Sequence, residues 1–140
     1  MVNLSVAAKA VIVNSKNQIL ILREQPHDEG TKAGKWGLPG GRINTDEPFF
    51  DGLRREVNEE TGLKIEPIEP VFIGEWWPNI KGVKNHIVAM FMLCKPTTNN
   101  VRLSEEHDQF AWIDRNDISK YDFMPPDDEV VRITFERIYK

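Results

Sequence analysis

The chain has 140 residues, of which 40% are hydrophobic and 29% are charged, and its net charge at pH 7 is −4. This composition suits one globular domain over residues 1–140, and no basic cluster is present that could grip long nucleic acid. The single cysteine, Cys94, excludes an intrachain disulfide. Because no run reaches the roughly 18 apolar residues of a membrane span, we expect a cytoplasmic protein without a membrane partner.

The N-terminal segment predicts two strands and a turn. Residues 5–13 and 18–23 are apolar runs, and the polar residues 14–17 between them predict a hairpin turn. Residues 19–22 are all apolar, which indicates a strand covered on both faces and therefore a sheet between two layers. The polar stretch at residues 24–35 predicts a flexible loop, and a tight glycine-rich turn follows it.

An acidic helix is predicted after this turn. Residues 46–48, Asp-Glu-Pro, indicate a helix start with an acidic cap, and Gly62 indicates its end. Within the helix, Gly52 leaves room for a close approach by another group. A helix of about four turns is therefore expected between residues 48 and 62.

Three carboxylates cluster on one side of this helix. Glu56, Glu59 and Glu60 have the spacing i, i+3 and i+4, so they repel one another, and they lie at the negative end of the helix dipole. A hard divalent cation with oxygen ligands would explain the arrangement. Taken by itself, the helix fits equally well with a solvated acidic face on which Arg55 pairs with Glu59.

The remaining elements complete an α/β pattern. Strands are predicted at residues 63–75 and 85–95, with residues 76–84 as their connection, a further strand within residues 105–114, and a helix at residues 127–139. We expect a mixed β-sheet with helices on both faces.

The most specific motif spans residues 41–63. It reads Gly, five residues, Glu, seven residues, then Arg-Glu-apolar-any-Glu-Glu-any-Gly-apolar, and its positions here are Gly41, Glu47, Arg55, Glu56, Val57, Glu59, Glu60, Gly62 and Leu63. Seven fixed identities at about 7% usage each make chance agreement on the order of 10⁻⁸. The motif resembles the Nudix box. The similarity runs from about residue 5 to residue 112 and includes the turn at residues 36–41 and the Glu105-Glu106-His107 segment. It implies the Nudix-type α/β/α sandwich fold.

The resemblance also implies residue roles. The implied ligands of Mg²⁺ or Mn²⁺ are Glu56, Glu59, Glu60 and the carbonyl of Gly40. The implied catalytic residues are Glu59 or Glu106 as the base, with Glu105 as the alternative to Glu106, and Arg55 as the residue that orients the glutamates. The structural positions of the motif are Gly41, Glu47 and Gly62.

The substrate-binding residues are less specific. Arg23 and Arg42 resemble positions that hold phosphates, a task that suits the guanidinium fork. The Trp76–Trp77 pair fits equally well with nucleobase stacking and with a core tryptophan beside an exposed neighbour. The histidines, which are His27, His86 and His107, lack the spacing of zinc ligands and are expected to be structural or solvated.

The implied function is metal-dependent hydrolysis of the diphosphate linkage in a nucleoside triphosphate or another nucleoside diphosphate derivative, as in MutT-like pyrophosphohydrolases. An ADP-ribose or ADP-sugar pyrophosphatase is the alternative, because Pro78 resembles a proline position of those enzymes. A non-hydrolytic nucleotide sensor or an isopentenyl diphosphate isomerase is less favoured, since the glutamate set is unbroken. The expected partner is a small nucleotide or nucleotide sugar, and a homodimer is compatible with the sequence.

Overall fold

The computed structural model describes residues 1–25 and 34–140, so His27 and most of the predicted loop at residues 24–35 lie outside the described residues. The elements are β1 Asn3–Ile12, β2 Ile19–Glu24, β3 Trp36–Gly37, β4 Gly40–Arg42, α1 Phe49–Thr61, β5 Ile65–Trp76, β6 Asn79–Ile80, β7 Val83–Pro96, β8 His107–Ile113, a 3₁₀ helix at Arg115–Lys120, and α2 Asp127–Ile138. Among the described residues, no helix is long and apolar enough to cross a membrane.

The described strands form two sheets. The larger has the order β4-β1-β7-β5, with β6 paired to β7, and the smaller has the order β3-β2-β8. In the larger sheet β1 runs parallel to β7, whereas β4 and β5 pair antiparallel to their neighbours. The mixed sheet flanked by helices is therefore confirmed, although it is divided in two.

The turn between β1 and β2 differs from the predicted hairpin. The side chain of Asn14 accepts hydrogen bonds from the N–H groups of Lys16 and Gln18, which stabilises the turn. The strands meet at the isolated bridge Val13–Ile19 and then enter different sheets. The turn chemistry was thus predicted correctly, but the ladder that a hairpin implies was wrong, because each strand finds its main partner far away in the sequence.

Apolar side chains form two cores on opposite faces of the strands. Along β2, Ile19 and Ile21 pack into the core under α2, while Leu20 and Leu22 pack into the core under α1. Both cores exclude solvent from these side chains. The prediction that this strand is covered on both faces is therefore confirmed, and the α/β/α layering follows from it.

Helix α1 begins and ends where predicted, but no acidic side chain among the described residues caps its beginning. Gly62 adopts φ 72°, and its N–H donates to the carbonyl of Asn58 at 2.8 Å. At the other end, within the part of the chain that is described, the position of Pro48 has no side-chain hydrogen bond capping the helix. The predicted acidic cap is wrong, because the carboxylate of Glu47 instead accepts the N–H of Asn44 and two hydrogen bonds from Arg55.

Candidate active site

The three clustered glutamates of α1 have different surroundings. Glu60 is buried, whereas the side chain of Glu59 is 57% exposed and that of Glu56 is 17% exposed. The backbone N–H of Gly40 donates a 2.9 Å hydrogen bond to Glu60 Oε1. This bond joins the last turn of α1 to the glycine-rich turn, so the two segments of the motif form one site.

Arg55 connects the acidic groups around it. Its Nε and Nη2 donate to the two carboxylate oxygens of Glu47 at 2.7 and 3.0 Å. Its Nη1 donates to Glu56 at 3.0 Å and to Glu59 at 3.3 Å, and Nη2 also reaches the carbonyl of Arg42 at 3.3 Å. One guanidinium therefore holds two glutamates of α1 and the loop that precedes the helix.

These contacts set the charge state of the site. The hydrogen bond from Arg55 lowers the pKa of Glu47 to about 2, and the same bond raises the pKa of Arg55. Burial raises the pKa of Glu56, an effect that Arg55 opposes. Burial also raises the pKa of Glu60 to about 7, although Lys9 and the Gly40 N–H favour its charged form. Of the three clustered glutamates, Glu60 therefore has the largest desolvation penalty when no cation is bound.

Two glycines of the motif permit close packing around α1. A Cβ atom at Gly41 would lie 2.5 Å from Glu56 Oε2, so only glycine leaves that carboxylate in place. A Cβ atom at Gly52 would lie 2.5 Å from Cγ2 of Ile43 and 2.9 Å from Oε1 of Glu47. The group that approaches Gly52 is therefore the loop that leads into the helix.

The distal acidic segment meets the buried end of the cluster. Oxygen atoms of Glu60 and Glu106 and a ring nitrogen of His107 lie within 4.8 Å of one another. Of the Glu105–Glu106 pair, Glu106 is the residue in this group. His107 is buried, as expected of a structural histidine, but it also lies beside the glutamates, a position that is not among the predictions from the sequence. Its position directly after the acidic pair was the available signal.

The donor set fits a divalent cation. Carboxylate oxygens are the ligands that Mg²⁺ and Mn²⁺ take in proteins, and Glu60 and Glu106 bring two of them together. A buried carboxylate without a cation carries a desolvation penalty, which a bound cation would offset. The chemistry of these residues therefore fits the metal that the resemblance implies.

Asp127 supports the glycine-rich turn from the other helix. It is buried at the start of α2, and its Oδ2 accepts the N–H of Leu38 at 2.8 Å. A Cβ atom at Gly37 would lie 2.9 Å from the same oxygen. The turn is thus held by Asp127 from α2 and by Glu60 from α1. Asp127 and Leu38 lie far apart in the chain, so a sequence pattern does not predict their contact.

The residues predicted to bind substrate lie in varied settings. Arg23 donates through Nε to Asp108 at 2.8 Å and forms a second hydrogen bond to it through Nη2. Arg42 is exposed at the end of β4. Trp76 packs against the core under α2, whereas Trp77 is 53% exposed and stacks on the ring of His86 at 4.6 Å. The tryptophan pair therefore has the geometry of a core residue beside an exposed neighbour.

Known proteins resemble the chain in both sequence and structure. A family model described as NUDIX domain matches residues 3–132. The chain is 33% identical over 116 residues to a MutT-like protein of Streptomyces ambofaciens, covering 83% of this chain and 68% of that protein. It is 29% identical over 109 residues to the nucleoside triphosphatase NudI of Escherichia fergusonii, covering 73% and 77%. The crystal structure of the MutT protein from Methanosarcina mazei Go1 matches with a TM-score of 0.77 and 30% identity, covering 99% of this chain and 97% of that one.

Proposed function

This chain belongs to the NUDIX family and is a hydrolase of nucleoside diphosphate derivatives, and we propose that it is a MutT-like enzyme that releases pyrophosphate from nucleoside triphosphates. The main support for the proposal is that Glu60 lies close to Glu106 and also accepts a hydrogen bond from Gly40 in the glycine-rich turn. The names of its relatives, a MutT-like protein and a nucleoside triphosphatase, favour triphosphates over nucleotide sugars. We also propose that residues 1–140 form one catalytic unit, because β2 contributes to both cores.

The proposed chemistry follows from charge. Glu56, Glu59, Glu60 and the carbonyl of Gly40 would hold Mg²⁺ or Mn²⁺. The cation supplies positive charge that neutralises phosphate oxygens and lowers the pKa of water. Either Glu59 or Glu106 then accepts the proton of the attacking water.

In this scheme Arg55 is a positioning residue. Its hydrogen bonds fix the carboxylates of Glu56 and Glu59 and tie them to Glu47. Because these bonds are charge-assisted, they define where the acidic groups lie before substrate arrives. The enzyme therefore does not have to gather mutually repelling groups during turnover.

A panel of substrates tests the proposed function. We expect pyrophosphate release from nucleoside triphosphates with Mg²⁺ or Mn²⁺, and no turnover when a chelator removes the cation. ADP-ribose and isopentenyl diphosphate serve as comparison substrates. Cleavage of ADP-ribose to AMP and ribose phosphate, with triphosphates left intact, would instead identify an ADP-sugar pyrophosphatase. Undiminished turnover in excess chelator would contradict the metal assignment.

Gly41 provides a test of the glutamate geometry. In Gly41→Ala the new methyl group would displace the carboxylate of Glu56, and we expect turnover to fall about 100-fold, because small misplacements have effects of that size. The fold should persist, since a flexible side chain can move. In Gly40→Ala the methyl group would clash with the backbone oxygen of Ala8, and Gly40 has φ 138°, so the melting temperature itself should fall. Parental turnover in Gly41→Ala would show that the site does not depend on this contact.

Trp77 is the residue that we propose for nucleobase stacking. One face of its ring is covered by His86, so a base would use the other face. We expect Trp77→Ala to raise KM for a nucleotide about 2- to 12-fold with kcat unchanged, as loss of an aromatic contact of about 0.5–1.5 kcal/mol predicts. The matched control is Ile68→Ala, which removes an exposed apolar side chain from β5. An equal rise of KM in both variants would argue against stacking.

Arg23 and Arg42 are proposed phosphate contacts of unequal standing. Two donor groups of Arg23 already bind Asp108, so a phosphate would have to share or compete for this guanidinium. Arg42 is exposed beside the glycine-rich turn, close in the chain to Gly40. Arg42 is therefore the stronger candidate of the two.

A further inference from the structure

His107 lies at the start of β8, where its buried ring is close to acidic side chains and one of its nitrogens lacks a hydrogen-bond partner among the described residues. Its side chain is 6% exposed, and its Nε2 lies 3.5 Å from Glu24 Oε1. Its Nδ1 is buried and has no hydrogen-bond partner among residues 1–25 and 34–140. A ring nitrogen of the same residue belongs to the group with Glu60 and Glu106, whose ligand atoms all lie within 4.8 Å. The imidazole of His107 therefore lies beside the carboxylates of Glu60 and Glu106.

The two ring nitrogens of His107 differ in their surroundings. A histidine that binds a metal through one nitrogen commonly donates its other N–H to a carboxylate, which fixes the ring orientation. Here Glu24 lies at Nε2, which leaves Nδ1 as the nitrogen with a lone pair for a cation. A buried polar atom without a partner is unfavourable, and a cation at Nδ1 would satisfy it.

We propose that His107 Nδ1 is a nitrogen ligand of the divalent cation that Glu60 binds beside Glu106, and that Glu24 orients its ring. This inference rests on the metal site of the proposed function and goes beyond it in the identity of the ligands. Imidazole nitrogen suits Mn²⁺ and later transition-metal ions, whereas Mg²⁺ prefers oxygen. The site therefore selects Mn²⁺ over Mg²⁺ more strongly than carboxylates alone would.

Pulsed electron paramagnetic resonance of bound Mn²⁺ tests this ligand directly. Natural-abundance protein should show the modulation of a directly coordinated imidazole ¹⁴N, and protein labelled with ¹⁵N-histidine should show the corresponding ¹⁵N coupling instead. The labelling leaves the protein chemically unchanged, so the result does not depend on whether a variant folds. The amount of free Mn²⁺ in the same samples, subtracted from the total added, gives the amount of bound Mn²⁺.

Two variants assign the nitrogen. His107→Asn places an oxygen near the position of Nδ1, so we expect the nitrogen coupling to disappear. The ratio of Mn²⁺ to Mg²⁺ affinity should fall about tenfold or more, because even the loss of a residue that only orients a metal ligand lowers metal affinity by about that factor. The matched control His86→Asn alters a histidine of β7 that pairs with Glu75 of the neighbouring strand β5, and it should keep both the coupling and the affinity ratio.

The outcomes separate this inference from the proposed function. Bound Mn²⁺ without a histidine-dependent coupling would overturn the role of His107 and leave an all-oxygen metal site intact. A coupling that survives in His107→Asn would overturn it as well. Protein that binds no Mn²⁺ would overturn both the ligand and the metal site of the proposed function.

Discussion

Replacement of Arg55 by alanine is expected to lower turnover about 100-fold, the effect of misplacing reacting groups by about an ångström. The guanidinium holds Glu47, Glu56 and Glu59 through the hydrogen bonds of its three nitrogens. Without it, Glu56 and Glu59 lose the counter-charge that Arg55 supplies, and the loop at Glu47 loses its attachment to the helix. The melting temperature of the metal-free protein should fall as well.

Two further variants separate geometry from charge. Arg54→Ala is the matched control, because Arg54 is the adjacent residue on the same helix and is exposed. It should retain the melting temperature and turnover of the parent. Arg55→Lys keeps the charge but cannot form the fork to Glu47 while it reaches the other glutamates, so turnover should lie between the two alanine variants.

Melting curves and steady-state kinetics of these variants decide the question. If Arg55→Ala behaves like Arg54→Ala in both measurements, the positioning role of Arg55 is wrong. If Arg55→Lys restores full turnover, charge alone is sufficient and the forked geometry is not required.

The local features of the fold were accessible from the sequence. The end of α1 at Gly62 follows from the positive φ angle that glycine adopts without strain, and the structure has this conformation. The burial of β2 on both faces follows from four consecutive apolar residues. Such features depend on neighbouring residues, so a sequence pattern contains the information needed to predict them.

The features that were mispredicted or missed depend on distant contacts. The partner of β1 in the parallel ladder is β7, with Ala7 opposite Ala89, and no local pattern specifies that pairing. The same applies to the site. Periodicity placed Glu56, Glu59 and Glu60 on one helix face, but it did not distinguish buried Glu60 from exposed Glu59. That difference arises where the glycine-rich turn and β8 dock against the end of the helix.

The burial of Glu60 leads to opposite effects on stability and activity when it is replaced by glutamine. Burial raises its pKa from 4.5 to about 7, so the unfolded chain ionises first as pH rises. The metal-free parent therefore loses stability between about pH 4.5 and pH 7, and the loss is complete above pH 7. Glutamine keeps the shape and carries no charge. In the presence of chelator, Glu60→Gln should exceed the parent by about 1–3 kcal/mol in free energy of unfolding at pH 8, and by much less at pH 5.

With a divalent cation present, the parent should have the advantage over Glu60→Gln in cation binding and in turnover. Glu60→Gln should bind the cation more weakly and lose about two to three orders of magnitude in turnover, the scale of removing one group that stabilises transition-state charge. Mg²⁺ should raise the melting temperature of the parent, because it binds the folded site, and should raise that of the variant less. Glu59→Gln is the matched comparison on the same helix. Since its side chain is 57% exposed, its metal-free stability should change little at either pH.

Denaturation with chelator at both pH values, melting curves with Mg²⁺, and one turnover assay complete the test. The metal-site interpretation requires that the metal-free Glu60→Gln variant is more stable at pH 8 and that its activity is lost. A structural role for the carboxylate, in which its charge supports the hydrogen bond from Gly40, predicts the reverse. In that case the metal-free variant would lose stability at pH 8, while its response to Mg²⁺ and its turnover would remain those of the parent.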